Sequence, residues 1–391
     1  LIYDLRNGND GMSLTETDLI NFRRRLHQIP EIGMEEVETQ ALLLKIIKSF
    51  PQDYLQLKTW KTAILVHVAG KNGRYTIGYR TDIDGLPVTE ATGLPYSSKH
   101  PGKMHACGHD IHMTVALGIL SYFAQHQPAV NLVFIFQPAE ENASGGMQLY
   151  QAGVLNEWLP DEIYALHDNP LLPSGVIGCR QGTLFAGTCE IHAKFIGKSG
   201  HAAFPQNAND MVVAGSAFVT QIQTIISRNL DPIQAGVVTL GRFSAGTVGN
   251  VIAGSAQIDG TIRALTQKIN LKIQHRVKTI AQAIAAGFEC RLELDLHQGG
   301  YYPVENNPQT TAAFIKYMKN SPTVIYQETK PAMTGEDFGF LLSKIPGTMF
   351  WLGVESPYSL HSEHLAPNEG AIIKGVSAMV GFLKQRQMEV E

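Results

Sequence analysis

Two hydrophobic rhythms divide this chain. Between residues 16 and 50 the apolar positions recur at helical spacing: Leu19, Phe22 and Leu26, then Val37, Ala41, Leu44 and Ile47. Ser13 and Glu16 stand at the spacing of a capping box, which predicts a helix from there through His27, with Pro30 barring its continuation. A second helix is expected over 35–50. The texture then changes. Residues 63–69 and 75–79 are expected to be strands, with Asn72-Gly73 as a tight turn between them. A helix follows over 114–125. The runs 131–136 and 162–166 are nearly continuous in apolar residues, as in strands covered on both faces. Strands alternating with helices predict an α/β layered architecture.

A second texture fills 182–296. Strands are expected at 189–196, 236–243, 256–264 and 291–296, and helices at 210–227 and 266–286. The order β-α-β-β-α-β resembles a ferredoxin-like unit. Residues 297–391 return to helices around short strands such as 347–353. The expected fold is therefore α/β: a catalytic domain with a mixed sheet (1–181 and 297–391), interrupted by an inserted α+β domain (182–296). Residues 1–11 have no clear period and are expected to be an extension left from cloning, with Met12 the native start.

Composition narrows the partners. Lys plus Arg is 31 against 35 for Asp plus Glu, a net charge of −4, which provides no basic footprint for nucleic acid. No run of about 18 apolar residues is present, so no membrane helix is expected. The four cysteines are too few and scattered for a disulfide framework. With no charged-then-apolar leader, the expected location is the cytoplasm. Arg23, Arg24 and Arg25 are expected to be a solvated helix face.

The chemistry gathers where strands end, as sites in open α/β sheets do. Asp82 follows the 75–79 strand, Glu140 and Glu141 follow 131–136, and His167 closes 162–166. The densest cluster is His105-Ala106-Cys107-Gly108-His109-Asp110-Ile111-His112. Thiolate, imidazole and carboxylate are the donors that Zn²⁺ and similar ions accept. With His361, the set Cys107, His109, Glu141, His167 and His361 is too large for one closed tetrahedral site and too small to close two. Two metals sharing a bridging water fit that count, with Cys107 as a candidate bridge. Glu140 is then the carboxylate not used on metal, expected to act as general base and later as proton donor. Asp82 is placed to orient a ligand imidazole.

The ordered motifs Arg80-Thr81-Asp82-Ile83-Asp84-Gly85-Leu86-Pro87, 105–110, Gln137-Pro138-Ala139-Glu140-Glu141, Gly200-His201-Ala202 and Thr334-Gly335-Glu336-Asp337-Phe338 resemble the M20 metallopeptidase family in its amidohydrolase branch. The resemblance runs from about Ser13 to the C-terminus. It implies a catalytic domain interrupted by a lid domain that forms homodimers, and two divalent metals per subunit (Zn, Mn, Co or Ni). It carries the ligands onto Cys107, His109, Glu141, His167 and His361, the base onto Glu140, and an active-site aspartate onto Asp82. It adds His201 as oxyanion donor, and Asn250 and Arg263 as groups gripping a substrate carboxylate. Read from the residues alone, the alternatives stay open: His201 as a residue closing a turn, Asn250 as a loop residue and Arg263 as a strand-end surface residue. Where the classical dizinc members carry His-x-Asp, this chain has Arg80-Thr81-Asp82, a change that the amidohydrolase branch shares; arginine cannot ligate a metal.

The expected activity is hydrolysis of an N-acyl amino acid, with N-acetyl-LL-2,6-diaminopimelate the substrate that the resemblance favours. A broader amidohydrolase such as one acting on hippurate is the alternative. A catalytically silent, metal-bearing protein-binding module is the alternative of another class.

Overall fold

The computed structural model describes residues 14–391. The expectations for residues 1–11, Met12 and Ser13 lie outside the described residues. The first helix, Glu16–His27, opens at Thr15 instead: its hydroxyl accepts the Asp18 N–H, and the Asp18 carboxylate accepts the Thr15 N–H at 3.0 Å. The capping box thus uses Thr15 and Asp18. Two compact units follow. One comprises residues 14–184, Glu305–Lys330 and Phe340–Glu391; the other comprises Phe185–Val304 and Pro331–Gly339.

The first unit is built on an eight-stranded mixed sheet, in the order Leu55–Trp60, Ala63–Val68, Val130–Gln137, Asn72–Asp82, Glu162–Asn169, Gly347–Gly353, Ile177–Cys179, Tyr326–Glu328. The expected hairpin between the second and fourth of these does not form. Ala63–Val68 pairs antiparallel with Leu55–Trp60 on one side and with Val130–Gln137 on the other. Val130–Gln137 is buried along almost its whole length and needs a partner on each edge, so it inserts between the two strands that local sequence suggested were neighbours. Asn72–Asp82 pairs parallel to it, with an irregularity between Asn72 and Thr76 where the turn was expected.

Asn72–Asp82, Val130–Gln137, Glu162–Asn169 and Gly347–Gly353 all run parallel. Their carboxyl ends therefore share one edge, with Asp82 opposite Gln137 and His167 opposite Trp351. Helices Glu16–His27, His109–Gln125 and Gly370–Val390 pack on one another within the large core. The central one is buried on almost every side, from His109 through Leu120, as a helix inside a core must be. It begins at His109, not at 114 as expected.

Arg23 overturns the expected solvated arginine face. It is fully buried, and its Nε lies 2.8 Å from Asp110 Oδ2. Arg24 reaches Glu369 at 2.6 Å. His27 joins the network through Asp110 at 2.7 Å and Glu90 at 3.3 Å. Burial pushes the Glu90 carboxyl up, but hydrogen bonds from His27, Thr92 and the Ser98 N–H outweigh it and hold the group down at about 2, against an ordinary 4.5. A depressed carboxyl contributes stability above its unfolded pKa and loses it as pH falls through the folded value. The melting-temperature gap between the wild type and Glu90→Gln should be full at pH 6 and narrow from about pH 4.5 downward. A gap constant from pH 6 to pH 3 would contradict this placement.

The second unit has a four-stranded antiparallel sheet in the order Gly236–Ala245, Ser255–Ala264, Gly187–Ile196, Arg291–His297. The central strand Gly187–Ile196 alternates strictly. Cys189, Ile191, Ala193 and Phe195 enter the core, while Glu190, His192 and Lys194 face outward. Helices Met211–Thr224 and Gln267–Gly287 pack together over the apolar face. Beyond Thr224 the first of them loosens into a π turn, Ile225–Asn229. This is the strand order of a ferredoxin-like unit. It reaches Val304 and includes Pro331–Gly339, which extends past the 182–296 span expected for the insert.

Candidate metal centre

Five chain segments of the first unit meet at the shared strand edge. The strand Asn72–Asp82 delivers Asp82 and, just beyond it, Asp84. The N-terminus of His109–Gln125 delivers Cys107 and His109 on either side of Gly108. That glycine has φ 72°, and a Cβ there would stand 2.5 Å from the Asp168 carboxylate. Only glycine fits between the two donors at that approach. The segment after Val130–Gln137 delivers Glu140 and Glu141 through Ala139, itself left-handed at φ 54°. Glu162–Asn169 delivers His167. A loop brings His361, also left-handed at φ 66°, whose N–H donates to the Ala106 carbonyl at 2.7 Å and so ties it to the cysteine loop.

These segments bring together the five donors expected from the sequence. The donor atoms of Cys107, His109 and His167 lie within 4.8 Å of one another, and so do those of Cys107, Glu141 and His361. Cys107 is common to both groups, where a bridging thiolate would stand. His109, Glu140 and Glu141 form a third group at the same spacing. His109 Nε2 and Glu141 Oε1 are 3.8 Å apart, and His361 Nε2 is 3.5 Å from the same oxygen. Both His109 Nε2 and Glu141 Oε1 are buried with no hydrogen-bond partner. A buried polar atom without a partner is costly, and a cation would satisfy both. The donor set of thiolate, imidazole and carboxylate fits Zn²⁺, Mn²⁺, Co²⁺ or Ni²⁺.

The imidazoles are oriented from behind. His109 Nδ1 donates to the Asp84 carbonyl oxygen at 2.9 Å, which leaves Nε2 with its lone pair toward the centre. His167 Nδ1 donates to the Asp168 carbonyl at 2.9 Å, and its Nε2 lies 3.6 Å from Cys107 Sγ. Asp82 differs from its expected part. Its two oxygens are engaged by Arg80 at 2.8 Å and by His112 Nδ1 at 2.7 Å, while His109 Nδ1 lies 3.8 Å away. The imidazole it orients is that of His112, which bridges it to Asp168. Arg80, 2.8 Å from Asp82, neutralises this buried aspartate.

Sequence reading gave no role to Asp84 or Asp168. Asp84 holds both the His109 imidazole and, through Oδ2, the Glu141 N–H at 2.9 Å. The available signals were the Asp82-Ile83-Asp84 repeat and the adjacency of Asp168 to His167.

Charge is unbalanced toward acid. Burial and the nearby Glu141, Asp168 and Glu140 carboxylates push the Cys107 thiol well above its ordinary value. Burial alone would lower His109, but Asp82, Asp84 and Glu141 raise it well above the usual imidazole range. The Asp82 carboxyl is opposed by burial and held far down by His109, His112 and Arg80. A divalent ion inverts this logic: it favours the thiolate and the neutral imidazole that ligation requires.

Three other expected residues belong to the second unit. His201 is exposed in the two-residue strand Gly200–His201, and its Nδ1 accepts the Ala203 N–H at 3.1 Å, so the ring proton sits on Nε2. Asn250 is exposed in the loop after Gly236–Ala245. Arg263 is half-buried on Ser255–Ala264, and burial lowers its guanidinium pKa.

Residues 78–385 match the profile of peptidase family M20/M25/M40. The N-acetyldiaminopimelate deacetylase of Ligilactobacillus salivarius is 73% identical over 376 residues, covering 96% of this chain and 99% of that protein. Its counterpart in Lactiplantibacillus plantarum is 66% identical over 379 residues, with 96% and 99% covered. Among solved structures, the YXEP protein of Bacillus subtilis, a dinuclear metal binding peptidase from the M20 family, superposes with a TM-score of 0.83 at 28% identity, covering 95% of this chain and 98% of that one.

Proposed function

Because the chain belongs to peptidase family M20/M25/M40, we propose that it is a metal-dependent amidohydrolase that converts N-acetyl-LL-2,6-diaminopimelate and water to acetate and LL-2,6-diaminopimelate. The observation that carries this reading is the convergence of five metal donors beside one further buried carboxylate, Glu140. The relatives' shared name supplies the substrate. The product would then feed the acetylated branch of diaminopimelate and lysine biosynthesis, in the cytoplasm. Among the described residues no helix is long and apolar enough to cross a membrane.

Cys107, His109, Glu141, His167 and His361 would hold two divalent ions. When bound, such ions polarise the acyl carbonyl and bring the pKa of water toward about 7. Glu140 takes a proton from the attacking water as the new C–O bond forms. It then returns that proton to the nitrogen as the C–N bond breaks, so that the amine leaves neutral. Asp82 keeps His112 and Arg80 in place behind the donors. His201 is the proposed oxyanion donor, supported by its Nε2–H tautomer and exposed ring. Asn250 and Arg263 are the proposed anchors for a substrate carboxylate, for which a guanidinium fork is suited.

A homodimer through the second unit is part of the proposal. Gly236–Ala245 is an edge strand there, and Val212, Val213, Val237 and Phe243 are exposed on this unit. Such an edge invites pairing.

The substrate is tested by kcat/KM for N-acetyl-LL-diaminopimelate, N-acetyl-lysine and hippurate on the metal-loaded enzyme. We expect the first to exceed both others by at least about 100-fold, the discrimination that paired polar groups at a distal amino-acid end can supply. Preference for hippurate would move the assignment to the broader amidohydrolases.

A further inference from the structure

Glu36 is fully buried in the first unit and is not one of the five expected metal donors. It precedes the helix Val37–Ile47, yet its side chain makes no capping hydrogen bond there. Its carboxylate is used elsewhere. Oε2 accepts the Thr62 hydroxyl at 2.6 Å, and Oε1 accepts the backbone N–H of Ala139 at 2.9 Å. Ala139 is the residue immediately before Glu140. Its left-handed backbone, φ 54° and ψ 45°, is one that a non-glycine residue keeps only when its surroundings enforce it.

On the other side of Glu140, the Glu141 N–H is held by Asp84 Oδ2 at 2.9 Å. Two buried carboxylates therefore hold the chain just before and just after Glu140. A third restraint comes from Gly33, where a Cβ would stand 2.6 Å from Ala139 Cα and 2.3 Å from Asn142 Oδ1. The backbone at Gly33 rests directly against this segment.

We propose that Glu36, itself held by Thr62, is a positioning residue: it clamps the Ala139 amide and thereby aims the Glu140 carboxylate, acting on turnover and not on metal or substrate binding. The proposal rests on reading Glu140 as the general base. The chemistry asked of Glu36 is that of a hydrogen-bond acceptor, so its charge matters less than the oxygen facing Ala139. Misplacing a catalytic group by about 1 Å costs on the order of 100-fold in rate, which sets the scale of the effect.

The test measures kcat, KM and bound metal for a set of variants with N-acetyl-LL-diaminopimelate. Glu36→Leu removes the acceptor, and kcat should fall about 10- to 100-fold with KM within about 3-fold and wild-type metal content. Glu36→Gln keeps an amide oxygen for Ala139 and can donate to the Thr62 hydroxyl, so it should recover to within about 3-fold of wild type. Gly33→Ala presses on the same segment without touching Glu36 and should lower kcat at unchanged KM. If Glu36→Leu does not fold, Gly33→Ala and Thr62→Val give the same comparison.

Wild-type kcat in Glu36→Leu with metal bound would overturn the clamp. So would a Glu36→Gln enzyme as slow as Glu36→Leu, or loss of metal in step with kcat. Glu140→Ala, assayed alongside, separates the two ideas. If it turns over normally, the base assignment fails; if it is dead while Glu36→Leu is fully active, only the clamp fails.

Discussion

Glu140→Ala should lower kcat by about 10²–10⁴-fold, the range a positioned general acid–base contributes, while the protein still binds its metals and still folds. Glu140 is nearly fully buried, and its neighbours His109 and Glu141 keep their other contacts when it is removed: His109 to the Asp84 carbonyl, and Glu141 through its N–H to the Asp84 carboxylate. KM should change little, because the proton transfers belong to the chemical step and not to substrate binding. Elemental analysis beside steady-state kinetics checks both halves. Wild-type turnover with metal bound would remove Glu140 from the mechanism. Loss of metal along with turnover would instead make it a ligand, a role that its grouping with His109 and Glu141 makes worth testing.

His109→Ala should be the most damaging substitution among the donors. His109 belongs to two donor groups that include Cys107 or Glu141, and its Nε2 is one of the buried atoms without a hydrogen-bond partner. Removing it also leaves Glu141 and the Asp84 carbonyl without their imidazole. We expect metal affinity and turnover to fall together, by more than the roughly 10–100-fold typical of an outer orienting group. Asp82→Asn is the comparison for that outer level, since its oxygens go to Arg80 and His112 and not to a donor. Metal titration of the two variants checks the order. An Asp82→Asn protein that loses metal as completely as His109→Ala would make Asp82 a ligand.

The second unit was the most legible part of the fold, and the reason is physical. Its sheet is covered on one face, so Gly187–Ile196 alternates buried and exposed residues, and its two helices carry one apolar stripe each. The first unit was harder. Apolar periodicity places the start of the helix His109–Gln125 at 114 because His109, Asp110 and His112 are polar, although all three are buried as parts of the site and its ion-pair network. Arg23 departs from the solvated face that local pattern predicts for the same reason: its partner Asp110 is remote in sequence and no local pattern reveals it. The false hairpin arose because nothing near Asn72 tells that Val130–Gln137 will take the place between the two strands.

The donors themselves were legible, because parallel strands ending on one edge collect whatever follows them. The structure brings Cys107, His109, Glu141, His167 and His361 together near that edge, and their role as metal ligands is the one proposed. The groups that aim them were not. Asp84, Asp168 and Glu36 act through backbone carbonyls and amides, and such contacts depend on tertiary placement that a side-chain pattern does not encode.

The most direct test of a metal-dependent amide hydrolysis at this centre is the release of free amine from N-acetyl-LL-diaminopimelate by metal-stripped enzyme, before and after stepwise return of Zn²⁺, Mn²⁺, Co²⁺ or Ni²⁺. The account predicts no cleavage when stripped and recovery that saturates near two ions per chain. Full turnover by the stripped enzyme, or tight binding of metal with no cleavage of any acyl amino acid, would contradict it.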